Sequence, residues 1–179
     1  MWLGHDFSYE PLIGLIASIA AFVWDDTKQI IKSKGKDSFE HDQKVYKALV
    51  AVFEDKEIIF FLKEVNFNAS FQSQCGLDII VLTEQFEPPV YEFWDLKLEK
   101  YRKELFESLG KLAHRIAMCT YPIHNDRQTA IPDLYRNSFE PLPDEIENRI
   151  NEMHKLASDV IEKYSVFYRE GGKKFDKGI

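Results

Sequence analysis

Cysteine is nearly missing from this chain: Cys75 and Cys119 are the only two in 179 residues. That excludes a disulfide-stapled scaffold and points to a body kept in a reducing compartment, the cytosol by default. Positive charge is also in deficit. The net charge of -7 removes any global attraction to nucleic acid, leaving only local basic patches to consider. Signature motifs are missing as well. The chain contains no Walker loop, nucleophile elbow, HExxH run or paired CxxC, so a catalytic assignment has nothing to stand on. Nor is there a long hydrophobic run: the longest uncharged apolar stretch, Leu12 to Trp24, has thirteen residues. As a helix it measures about 20 Å, against about 30 Å of bilayer hydrocarbon.

What is present describes a folded protein. Hydrophobic residues make up 45% and aromatic residues 14%, enough for a core and too much for disorder. At this length the chain accommodates one domain and a short appendage.

The appendage is the segment "EPLIGLIASIAAFVWDDTKQIIKSKGK", residues 10–36. Its length favours a buried helix, but three features favour the membrane. The run is apolar on every face, which the edge of a small domain cannot bury. Trp2 and Tyr9 precede it and Trp24 closes it, as interfacial aromatics do. Lys28, Lys32, Lys34 and Lys36 follow, whereas no Lys or Arg precedes it. This asymmetry predicts an amino terminus outside and a carboxyl-terminal body in the cytoplasm. Asp6 and Glu10, with no basic residue before the run, argue against a cleaved signal peptide. A membrane-inserted helix is therefore expected, with a buried or interfacial helix as the alternative. Within it Gly14, Ala17, Ser18 and Ala21 recur every three or four residues, a small-residue face suited to helix packing in lipid. A single short span makes a pore only as a homo-oligomer.

Beyond residue 36 the pattern predicts helices. "EHDQKVYKALVAVFE" aligns Val45, Leu49, Val52 and Phe53 after a Ser38 cap, and "KEIIFFLKEV" follows. "LDIIVLTEQF" reads as strand or helix, ended by Pro88 and Pro89. Leu98, Tyr101, Leu105, Leu109, Leu112 and Ile116 form one helical stripe. Ile146, Ile150, Met153, Ala157, Val160, Ile161, Tyr164 and Phe167 form a second, with Tyr168 able to close the same face. Pro143 and the Gly171–Gly172 pair read as its two ends. The predicted fold class is all-α: an N-terminal transmembrane helix with its basic juxtamembrane segment, residues 1–36, followed by a cytosolic helical bundle, residues 37–179.

The charged runs support no enzyme. Glu99, Lys103, Glu104, Glu107 and Lys111 read as exposed helix-surface pairs. His41 with Asp42, and His124 with Asp126, are too sparse for a metal site, and His114 and Cys119 lie on different helix faces. No metal or cofactor is expected.

Binding chemistry concentrates in the long connection "YPIHNDRQTAIPDLYRNSFEPLP". Arg127, Gln128 and Thr129 offer a guanidinium, an amide and a hydroxyl; Tyr135 and Arg136 add a stacking ring and a second cation. Such groups suit a phosphate or an unstacked base. The plainer alternative lays this loop over the bundle, with Arg127 paired to an acid such as Asp133. The Lys97, Lys100, Lys111 and Arg115 side of the preceding helix is the next basic face.

The stretches "EPLIGLIASIAAF", "FLKEVNFNASF", "FEPPVYEFWDLKLE" and "YPIHNDRQTAIPDLY" together resemble the membrane effectors of Hailong-type anti-phage defence, over most of the chain but by pattern, without a catalytic signature. That resemblance implies an oligomeric ion channel of the bacterial inner membrane. It further implies that the cytosolic part is held inactive by a nucleotide or a short single-stranded DNA oligomer made by a partner nucleotidyltransferase. The acidic balance requires such a ligand to find a local basic cleft. The competing function is a non-enzymatic helical protein that binds a protein partner, either tethered to the membrane or soluble.

Overall fold

The computed structural model describes residues 36–85, 91–136, 138 and 140–175. From His41 onward the chain forms one compact unit. The expected membrane helix lies outside the described residues, as does its small-residue face of Gly14, Ala17, Ser18 and Ala21. Among the described residues no helix is long and apolar enough to cross a membrane.

The body is mostly helical. Helix α1 is described over residues 36–55 and buries Val45, Tyr46, Leu49 and Phe53. It is already formed at residue 36, where Lys36 and Glu40 pair one turn apart at 3.8 Å, so Ser38 lies within the helix instead of capping it. After Glu57, whose φ of 49° lies in the left-handed region, α2 runs Ile58–Glu64. The ambiguous "LDIIVLTEQF" is helical through Gln85, as part of α3, Ser73–Gln85, which buries Gly76, Ile79 and Leu82 at three-residue spacing.

The long helices α4, Leu96–Cys119, and α6, Asp144–Phe175, pack along each other; α3 covers α4 and α2 covers α6. The stripe of Leu98, Leu105, Leu109, Leu112 and Ile116 faces that of Ile150, Met153, Ala157, Val160 and Phe167 in one core. Asp95 starts α4 by accepting from the amides of Lys97 at 2.8 Å and Leu98 at 2.9 Å. α6 has acids in its first turn and Lys173 and Lys174 in its last, matching the helix dipole.

The end of the second core helix departs from the expectation. Gly171 and Gly172 do not end α6, which continues to Phe175. The Tyr46 ring lies against the backbone at Gly171, where a Cβ would collide with it, so this glycine serves close packing and not termination. The mostly helical body, consistent with the expected all-α class, also carries a small sheet. Strands β1, Phe71–Gln72, β2, Tyr121–Ile123, and β3, Arg127–Thr129, form a small antiparallel sheet in the order β1-β3-β2. The expected long loop is thus largely a hairpin followed by the short helix α5, Asp133–Arg136. Its turn works because Asn125 and Asp126, at φ 61° and 54°, tolerate the left-handed conformation better than most side chains do. The Asp126 carbonyl then accepts from the Ser73 amide at 2.8 Å, tying the turn to the start of α3.

Candidate functional site

Successive residues of a strand face opposite sides of the sheet. On β3 this separates Arg127 from Gln128, and each lines its own cleft. The first, of about 440 Å³, lies between α2, the turn before β1 and the start of α3, and is lined by Phe60, Phe61, Val65, Phe71, Cys75 and Arg127 among others. Phe61 and Phe71 pack ring to ring at 5.7 Å, while Phe60 remains 64% exposed at the cleft.

The Arg127 guanidinium is held in this cleft by one residue, Ser70. Nε donates to the Ser70 hydroxyl at 2.9 Å, and a terminal nitrogen donates to the Ser70 carbonyl. Among the described residues no carboxylate forms an ion pair with it, although Glu57 and Glu64 line the same cleft. The other cation lining the cleft, Lys56, is paired with Asp78 at 2.6 Å. The charge of Arg127 is therefore anchored by neutral groups and not cancelled.

The cleft also contains Cys75, whose thiol is pushed up by burial and then by the nearby Asp78. A protonated thiol is a poor nucleophile. No family model matches the chain, and no curated protein and no solved structure matches it either.

The second cleft, of about 570 Å³, is lined by Gln74, Leu77, Ile80, Ile116, Pro122 and Gln128 among others. The Gln128 amide nitrogen is buried without a hydrogen-bond partner among the described residues. It occupies the space that a Cβ on Gly76 would take, so Gly76 admits the Gln128 side chain.

The remaining residues of the expected site join neither cleft. Thr129 is buried, and its hydroxyl accepts from the Ile131 amide at 3.2 Å, a local turn contact. Tyr135 packs on the core. Arg136 pairs with Asp133, the acid that the plainer alternative assigned to Arg127, because both lie on α5 one turn apart. The five residues therefore do not form one site; Arg127 alone reaches the aromatic cleft.

Each cation of the next basic face has an acidic partner. Lys97 pairs with Glu170 at 2.8 Å, Lys100 with Glu104 at 3.8 Å, Lys111 with Glu107 at 2.7 Å, and Arg115 with Glu152. The His–Asp pairs have structural or exposed positions. His41 donates from Nε2 to the Glu92 carbonyl at 3.0 Å, and the fully buried Asp42 accepts from the amides of Trp94 at 2.8 Å and Asp95 at 3.1 Å. His124 and Asp126 sit in the exposed hairpin turn. Among the described residues no three His, Cys, Asp or Glu side chains converge as metal ligands.

One ionic feature was not legible in the sequence. Glu99, expected on the surface, is buried with Arg102: it accepts from Arg102 Nε at 2.8 Å and Nη2 at 2.6 Å, and from the Phe93 amide at 3.0 Å. Burial alone would raise its carboxyl; Arg102, the Phe93 amide and Lys103 outweigh that and hold it below the usual range. Asp42 and Glu99 thereby clamp the turn at residues 91–95 from two helices.

Proposed function

We propose that this chain is an oligomeric membrane effector of bacterial anti-phage defence, with ion-channel or membrane-disrupting activity, whose helical body receives a nucleotide or a short single-stranded nucleic acid in the Arg127 cleft. The observation that carries this reading is the guanidinium of Arg127, without an ion-pair partner among the described residues, in the same cleft as the exposed ring of Phe60. Phe60 offers a stacking surface worth about 1 to 3 kcal/mol per base, and Arg127 a charge-assisted bond to phosphate worth about 1.5 to 3 kcal/mol. Anchoring by Ser70 leaves the guanidinium's charge available to an incoming anion. In this reading the apolar segment 12–24 enters the inner membrane with its amino end outside. Gly14, Ala17, Ser18 and Ala21 pack the spans together, and the body in the cytoplasm holds the controlling ligand. The chain acts by binding, without a cofactor.

Binding of a fluorescent single-stranded oligonucleotide and of a nucleoside triphosphate to the detergent-solubilised protein tests the ligand half. Arg127→Glu should lose binding with an unchanged melting temperature. Retention of binding moves the ligand elsewhere; a collapsed melt makes Arg127 structural. Fractionation tests the membrane half, since recovery in the soluble fraction without detergent removes it. A cysteine placed at Ser33 should be shielded from an impermeant reagent in intact cells; reaction there reverses the orientation.

A further inference from the structure

The turn held by Asp42 and Glu99 displays two large apolar side chains. Trp94 is 58% exposed and Leu96 85% exposed, although both lie between the buried Phe93 and the buried Leu98. Rigidly holding a tryptophan outward is costly for a soluble surface and ordinary for a protein that touches a membrane interface. Trp94 is stacked on His41 at 4.4 Å, so its ring is fixed in place.

The charges around it are sorted by depth. Lys97 is 65% exposed while its partner Glu170 is 15% exposed, and that single carboxylate also serves Lys173 and Arg169. Lys103 is exposed while its partner Glu99 is buried; Lys174 reaches inward to Asp95 and to the fully buried Asp42. In the Lys97–Glu170, Lys173–Glu170 and Lys103–Glu99 pairs the acid is the more buried partner, so these pairs present their cations outward although the chain as a whole carries -7. Exposed Trp and Leu beside outward lysines match an anionic lipid surface in both apolar and charge character. Sixteen residues separate Trp24 from His41. A body tethered through them to an inserted segment is kept near the bilayer, which raises the effective concentration of any surface contact.

We propose that Trp94 and Leu96, with the adjacent Lys97 and the Lys173 that shares its carboxylate partner Glu170, form a contact that seats the body on an anionic membrane surface. The contact rests on the membrane reading above and adds to it a second attachment point, on the folded body itself.

Single-tryptophan variants of the full chain test it after reconstitution into phosphatidylcholine vesicles with about 30% phosphatidylglycerol, using lipids brominated near the headgroup as quenchers. Trp2→Phe with Trp24→Phe leaves Trp94 as the reporter; Trp2→Phe with Trp94→Phe leaves Trp24. The expected result is blue-shifted, quenched Trp94 emission, with about a twofold loss of quenching when the anionic lipid is omitted. Unquenched Trp94 beside quenched Trp24 overturns the contact and leaves the membrane reading intact. Absence of quenching in both overturns the two together. A Trp94 blue shift that follows protein concentration in detergent, with no response to brominated lipid, assigns this face to a protein partner and also overturns it.

Discussion

The Tyr46 hydroxyl donates to the Tyr168 carbonyl at 2.9 Å, and the same ring covers Gly171 three residues later. The ring also sits 5.3 Å from that of Phe175 and 5.6 Å from that of Phe167, so one α1 side chain joins the last turns of α6 to the core.

Gly171→Ala should therefore destabilise the protein by about 1 to 3 kcal/mol, the usual cost of overpacking, because the new Cβ meets ring carbons held in place by a hydrogen bond. Gly110, on α4, has nothing within 4 Å of where a Cβ would sit. Gly110→Ala should instead stabilise by about 0.5 to 1 kcal/mol through helix propensity. Urea unfolding of the two variants should move in opposite directions.

Removing one partner of the buried pair should be severe. Arg102→Ala leaves Glu99 buried with only the Phe93 amide and the exposed Lys103 as partners, and a loss of about 3 kcal/mol is expected. Lys100→Ala, at an exposed pair, should cost under about 1 kcal/mol. Thermal melts of the two variants compare them directly.

Acid should destabilise the body in a defined window. Glu170 is held down to about 2 by hydrogen bonds from Lys173 and then Lys97, against an ordinary value of 4.5. A carboxyl depressed in the folded state contributes stability above its unfolded value and loses it as pH falls through the folded value. The loss should therefore run from pH 4.5 down to about 2, and Glu170→Gln should flatten that part of the curve. Denaturant midpoints measured along a pH series give the slope.

Cys75 should alkylate more slowly than free cysteine at neutral pH, because burial, then Asp78, favours its protonated form. Its reactivity should rise only at alkaline pH. A nucleotide or oligonucleotide seated in the Arg127 cleft should slow it further, since Cys75 lines that cleft. Peptide mass analysis separates Cys75 from the buried Cys119.

Assembly through the apolar segment makes its own prediction. Gly14→Leu or Ser18→Leu puts bulk where helix backbones approach, so the detergent-solubilised oligomer should dissociate while membrane recovery persists. An unchanged mass in both variants assigns the subunit contact to the helical body.

The two core helices could be read from spacing alone. A residue's place on a helix face follows from its position modulo the turn, and Leu105, Leu109, Leu112, Ile150, Met153 and Val160 needed no knowledge of their neighbours to be assigned inward. The hairpin was partly legible too, since Asn125 and Asp126 are turn residues, but strands of two or three residues carry too short an alternation to stand out. What lay beyond local spacing was every property that depends on which group arrives from elsewhere. Glu99 looks like its exposed neighbours until Arg102 and the Phe93 amide enclose it. Gly171 looks like a helix end until Tyr46 arrives from more than a hundred residues away. Arg127 and Gln128 look like one site until β-pairing turns them to opposite faces, because the alternation of a strand exists only once β1 and β2 have paired with β3.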